Sequence, residues 1–328
     1  MYFGLSEDQI FFQDNVKKFL EDQLTLDTVK KITEGEDDLA KEELHKGLIN
    51  LGINNILIPE EYGGLGLDLL FATAVSQSLG EGVATLPFLG PYIVAPTAIK
   101  YGASDNQKEK LFADMSQNLI NFGIGFSEYF GSRDSSGLNI SDNKVTGKTL
   151  FVLDADFASH VMIADNKGQI GVVSLDSDGI EMIDLTTVDK TRTYKEMHFS
   201  DTPIEILDKT KSSSFAVEMA LDAGRIISAA DSLGASQAML NKAVEYSKER
   251  KQFNRVIGSF QAVKHMCAQM ASDLEPCYSL VWYAAHAMDH IPSESHLMAC
   301  QAKAHLSEVG ASIAKTATEV HGGMGFTD

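Results

Sequence analysis

The amino-acid sequence predicts an α+β chain in three parts, because its hydrophobic period changes twice and a run of serines marks the second change. Over residues 1–116 apolar residues recur at helical spacing, with Ile10, Phe11, Val16, Phe19 and Leu20 as the clearest stripe, which predicts a helical domain. IPEEYGGLGLD interrupts it, where Pro59, Gly63, Gly64 and Gly66 force a loop. Over residues 117–210 short apolar runs, KTLFVL, HVMIAD, IGVVSL and IEMIDL, alternate with the turn signals SDNK, NKG and DSDG, which predicts a β domain. Over residues 211–328, after the capping serines of KSSS, three long stripes return. The first holds Ile226, Ala230, Leu233, Leu240 and Val244; the second Val263, Cys267, Met270, Leu274, Val281, Ala285 and Met288; the third Ala299, Lys303, Leu306, Gly310, Ile313, Ala317 and Val320. Three such helices predict a helical bundle that lacks a fourth.

Charge and composition exclude several functions. The 328 residues carry a formal charge of −19, so there is no basic field for nucleic acid and none for an anionic membrane surface. No run approaches the roughly 18 apolar residues of a membrane span. The N-terminal stretch lacks the basic start and apolar core of a signal peptide, and the expectation is a cytoplasmic protein. Cys267, Cys277 and Cys300 lie in apolar helical context without C-x-x-C spacing, which predicts free core thiols rather than disulfides or a metal site.

The densest motif is YSKERKQFNRVIGSFQAVKHMCAQM. With LSEDQIFFQDNVKKFL, LGINNILIPEEYGGLGL, GFSEYFGSRD, VTGKTLFVLDADFASHVMIAD and TEVHGGMGF in the same order, it resembles the acyl-CoA dehydrogenase family. Six pieces in register span the chain. The resemblance implies an N-terminal helical domain, a middle β domain and a C-terminal helical bundle. It also implies FAD-dependent α,β-dehydrogenation of an acyl-CoA thioester to the trans-2-enoyl-CoA, with electrons passing to an electron-transfer flavoprotein. That chemistry needs a carboxylate for the α-proton, a flavin for the β-hydride and hydrogen bonds to the thioester oxygen.

Residue by residue, the resemblance implies that Arg250 reaches the FAD pyrophosphate of a neighbouring subunit, where a forked guanidinium suits paired phosphate oxygens. Gln252, Phe253, Ile257, Phe260 and Gln261 match cofactor positions beside it, and Glu319, Val320, Gly322 and Gly323 match the turn along which the adenosine half lies. Phe126 and Ser127 match positions facing the flavin ring, and Ser132 one near the phosphates. The alternative reading of each is structural: a solvated cation for Arg250, core aromatics for Phe253 and Phe260, a bare helix cap for the glycines. Three departures weaken the site: SEYFGSRD replaces the family's Thr-Glu-Pro motif, Phe151 and Leu153 replace its Trp-x-Thr pair, and Glu319 sets a carboxylate near phosphates.

No catalytic residue is nominated. The family carries its base either after the glycine turn or on the first bundle helix before an arginine, and here that helix reads LDAGRII, with Gly224 in the expected place. Asp222 lies two residues away, and i, i+2 neighbours do not share a helical face. Asp222 and Arg225 are expected to pair or to shape the acyl pocket. The expectation is that the base lies beyond Asp328 or comes from elsewhere, with the chain a homo-oligomer or the partner of an unlike, active subunit. A flavin-dependent oxidase is a third reading. GGLG at 63–66 lacks the context of a dinucleotide fingerprint, and His286 with His290 lacks a third metal ligand. His321 either touches cofactor or packs.

Overall fold

The computed structural model describes residues 4–326. The first third holds α1 (Glu7–Gln23), α2 (Leu26–Glu34), α3 (Asp38–Asn50), α4 (Leu69–Glu81), α5 (Ala95–Gly102) and α6 (Asp105–Ser116). The middle holds β1 (Phe122–Gly125), β2 (Gly137–Ser141), β3 (Lys144–Leu153), β4 (His160–Ala164), β5 (Ile170–Ser174), β6 (Ile180–Asp184), β7 (Tyr194–Pro203) and β8 (Glu205–Ile206). The last third holds α7 (Phe215–Glu249), a hairpin of β9 (Lys251–Gln252) and β10 (Arg255–Val256), then α8 (Gln261–His290) and α9 (Pro292–His321).

Local chemistry sets the helix ends. Ser6 caps α1 by accepting the Gln9 N–H at 3.2 Å while the Gln9 side chain accepts the Ser6 N–H at 2.8 Å, a reciprocal capping box. The stripe expected on α1 is corrected. Val16 and Leu20 are buried with Gln9, whereas Ile10 and Phe11 are exposed, because the packed face advances by fours and threes from residue 9 and leaves positions 10 and 11 on the opposite side.

Contacts divide the chain into two compact units. The first comprises residues up to 25, 73–84 and from 225 onward. Within it α4 and α7 approach backbone to backbone: a β-carbon on Gly80 would fall 2.0 Å from the Asp231 carbonyl oxygen, and one on Gly234 would fall 1.8 Å from that of Gln77. The Ser76 hydroxyl donates to the Ile227 carbonyl at 3.0 Å across the same seam. Leu233, Met270, Leu274, Val281, Leu306 and Ile313 fill the bundle interior, in line with the three stripes. The three cysteines are free, with Cys277 buried and the other two half-buried.

The second unit comprises residues 26–72 and 85–224. Its sheet runs β6-β7-β3-β1-β4-β5-β8, with β2 paired to β3. β1 and β4 are parallel; the other pairs are antiparallel. Phe122, Ile124, Met162 and Val172 pack with Ile99, Phe112 and Met115 of α5 and α6 in one core cluster, while Val145, Val152, Val161, Ile163, Val173 and Phe199 form another. The GGLG loop is a packed turn: Leu65 and Gly66 donate to the Asn55 and Ile58 carbonyls, and a β-carbon on Gly64 would strike the Ile58 carbonyl at 2.0 Å.

Candidate cofactor and acyl-CoA site

In the first unit the motif around Arg250 folds as a tight hairpin. Phe253 and Asn254 both take left-handed backbone, φ 53° and 62°, as a type I′ turn requires, and β9 pairs with β10 through Gln252 and Arg255. The Ile257 N–H closes the loop onto the Arg250 carbonyl at 2.8 Å. Gly258 is required because a β-carbon there would fall 2.8 Å from the Ser247 carbonyl oxygen. Arg250, Gln252 and Gln261 are exposed, Ile257 and Phe260 are half-buried, and Phe253 is 86% exposed at the tip. Phe253 and Phe260 make an edge contact with centroids 6.1 Å apart, and the Arg255 guanidinium lies 3.9 Å from the Phe260 ring. The turn thus exposes an aromatic ring beside two cations, a combination able to meet an anionic or aromatic group.

At the end of α9 in the same unit, Val320 is buried, Glu319 is exposed, and Gly322 turns the chain with φ 62°. A β-carbon on Gly322 or Gly323 would meet nothing within 4 Å, so both present open backbone. Gly325 is different: its β-carbon would fall 2.6 Å from the Thr318 carbonyl oxygen, a structural need. His321 stacks on Tyr246 with centroids 4.5 Å apart, and its Nδ1 lies 2.8 Å from the Ala317 carbonyl.

In the second unit the expected flavin-facing positions gather at the ends of β1 and β3. Phe126 is buried, and the half-buried Ser127 bonds its hydroxyl to the Leu150 carbonyl, with the Glu128 carboxylate 3.0 Å away. Glu128 is 2% exposed and also accepts from the Leu150 N–H at 3.0 Å and from Ser136. Sequence reasoning missed this residue, whose role is to pin the loop carrying Ser127 to β3. Ser132 is exposed beyond it. One residue past Leu150 the register of β3 against β7 slips, and Phe151 takes φ 55° with its ring 46% exposed. A bulge of this kind re-aims a side chain, here an aromatic one.

On α7 Asp222 is buried and Arg225 half-buried, three residues apart. A β-carbon on Gly224 would fall 3.3 Å from Val94, so that position is already filled from the Leu89–Val94 side. Among the described residues no third ligand joins His286 and His290, whose rings lie 4.5 Å apart. A cavity of about 390 Å³, lined in part by Lys110, His160 and Glu205, contains none of the expected cofactor residues.

The donor set suits a dinucleotide flavin: open glycine backbone, exposed cations and an exposed aromatic edge, with Glu319 electrostatically opposed to it. Known proteins agree. The acyl-CoA dehydrogenase N-terminal domain matches residues 6–118 and the acyl-CoA dehydrogenase C-terminal domain matches residues 215–328. The 3-(aryl)acrylate reductase of Clostridium sporogenes is 28% identical over 325 residues, covering 91% of this chain and 85% of that protein. The caffeyl-CoA reductase-Etf complex subunit CarC of Acetobacterium woodii is 27% identical over 355 residues, covering 99% and 90%. The solved glutaryl-coenzyme A dehydrogenase in complex with glutaryl-CoA superposes with a TM-score of 0.88 at 25% identity, covering 100% of this chain and 88% of that one. The chain therefore belongs to the acyl-CoA dehydrogenase family of oxidoreductases, whose flavin is FAD.

Proposed function

We propose that this chain takes part in FAD-dependent α,β-dehydrogenation of an acyl-CoA thioester, giving the trans-2-enoyl-CoA. The single observation that carries the reading is the Arg250–Phe260 hairpin, which presents a cation and an 86% exposed aromatic ring on a tight turn. FAD, when bound, supplies the hydride acceptor. The residues of this chain would serve it in different places: Arg250 at the pyrophosphate of a neighbouring subunit's flavin, the Gly322–Gly323 backbone along the nucleotide half, and Ser127 and Phe151 facing a flavin ring. Asp222 and Arg225 would shape the acyl side, and Gly224 leaves no carboxylate at the helical base position.

A second reading, favoured by Gly224, Glu319 and the altered Phe151 and Leu153, makes the chain a non-catalytic partner that completes the site of an unlike subunit. CarC is itself named as a subunit of an Etf complex, and electron-transfer flavoprotein is the expected electron partner here. Two relatives are named as reductases, and none of the residues above fixes the direction of electron flow. The test is to load the purified chain with FAD and add a panel of saturated acyl-CoA thioesters under anaerobic conditions. Bleaching of the flavin absorbance with one thioester is the expected outcome for a dehydrogenase; bound flavin that no thioester bleaches sinks that reading in favour of the partner.

A further inference from the structure

Asp154 follows directly on Leu153 and is 3% exposed. Its backbone is left-handed, φ 60° and ψ 24°, a region that Asp and Asn tolerate better than other side chains. Its N–H donates to the Thr193 carbonyl at 3.1 Å. Its carboxyl group stands against Gly90, the first residue of a π-helical turn (Gly90–Val94): a β-carbon on Gly90 would lie 3.2 Å from Oδ2, and the Gly90 backbone amide donates toward the carboxylate. Among the described residues Oδ2 has no hydrogen-bond partner, and neither has the buried Thr193 hydroxyl.

The neighbourhood is mixed in charge. Arg192 and Lys41 face Asp154 as cations and Asp156 as an anion, with the phenols of Tyr92 and Tyr194 beside it. The Tyr92 hydroxyl lies 2.8 Å from Nε2 of His45, whose own pKa burial lowers. Burial outweighs the cations, and Asp154 is pushed up from 3.8 to about 7. Asparagine would keep the shape, tolerate the backbone and carry no ionisable charge into the interior. An acid kept in such a place, against a π-helical turn, marks a site with a task rather than a packing choice.

We propose that Asp154 is a positioning residue of the cofactor edge, a clamp between the strand end Phe151–Leu153 and the turn Gly90–Val94 whose grip changes when the carboxyl group gains or loses a proton. Phe151 and Leu153 occupy the expected flavin side, while Leu89 and Val94 back the Gly224 position on the expected acyl side, so Asp154 joins the strand that carries the first pair to the Gly90 turn that continues into Val94; this rests on the site assignment above. The event is uptake of one proton from solvent onto a carboxylate oxygen, and no other bond changes.

The sign follows from the direction of the shift. The folded chain holds this proton to higher pH than the unfolded chain, so Asp154 removes stability as pH rises from 3.8 to about 7 and nothing further above it. Thermal melting of the flavin-free chain and of Asp154→Asn, from pH 5 to pH 8, reads this directly. The asparagine variant should melt about 3 °C or more above the wild type at pH 8, with the gap closing toward pH 5. Parallel melting curves overturn the titrating clamp. For the positioning role, FAD affinity is measured over the same range: wild type should change several-fold across pH 7 and Asp154→Asn should stay flat. Gly90→Ala, whose methyl would press on Oδ2 at 3.2 Å, should shift the wild-type profile from the opposite side. Identical pH profiles for wild type and Asp154→Asn overturn the proposal. Absence of FAD binding at every pH overturns both the positioning role and the site assignment, whereas a melting gap with pH-independent FAD affinity overturns the positioning role alone.

Discussion

Gly322 and Gly323 are neighbours, yet they ask different things of a side chain. Gly322 has φ 62°, so alanine there strains the backbone and should cost about 1 kcal/mol of stability with or without ligand. Gly323 has ordinary backbone and open space around its β-carbon position, so Gly323→Val should leave the melting temperature of the flavin-free chain nearly unchanged. Its FAD affinity should fall about tenfold or more if the nucleotide lies on that backbone, because a branched side chain occupies the space the ligand needs. A stability loss in place of an affinity loss would make the turn structural. Glu128 offers the reverse case, buried and fully engaged: Glu128→Gln replaces an acceptor from the Leu150 N–H, Ser127 and Ser136 with a group that cannot accept from all three. The expected loss is about 1–3 kcal/mol in denaturant unfolding, and flavin binding weakens only as the Ser127 loop loosens.

At the scale of elements, the α4–α7 seam and the β9–β10 hairpin show opposite uses of unusual backbone. The seam uses Gly80 and Gly234 to bring two helices into contact where a β-carbon would fall within 2.0 Å of a carbonyl oxygen. Gly234→Ala should therefore destabilise the chain by about 2–3 kcal/mol, read as a fall in unfolding midpoint with unchanged slope. The hairpin instead places Phe253 at φ 53°, a strained setting for an aromatic residue, and exposes it. Phe253→Asn should stabilise the flavin-free chain slightly and weaken FAD binding, and stabilisation without loss of affinity would remove Phe253 from the site. Periodicity made the helices and strands legible, since long stripes such as Met270–Leu274–Val281 on α8 report burial directly. It failed on α1, where Phe11 is apolar but faces out, because pattern alone does not say which face is packed. The π-helical turn at Gly90 and the acid against it left no periodic signal at all. The motif around Arg250 was legible because a tight turn, a glycine at a close approach and a forked cation each demand particular residues. Glu128 was not, since its importance arises only when β3 folds back on it.

At the scale of the molecule, the expected site positions come from segments far apart in the chain, and they differ in how closely they keep the family's residues. On the proposed reading the hairpin and Gly322–Gly323 keep the family's residues, whereas Glu319, Phe151, Leu153 and Gly224 depart from them. On that proposed reading the chain would retain what is donated across a subunit interface and lose what it keeps for itself, which would suit an unlike partner. No described helix is long and apolar enough to cross a membrane. The chain purified alone should bind less than one flavin per chain and show no dehydrogenation with an artificial electron acceptor. Co-purified with an acyl-CoA dehydrogenase-like subunit that carries an intact base, it should form a heteromer with flavin at the shared interface, and there Arg250→Ala on this chain alone should strip that flavin without unfolding either subunit, since one exposed cation adds little to folding. Full flavin occupancy and turnover by the chain alone would reject the partner reading and return the activity to the homomer.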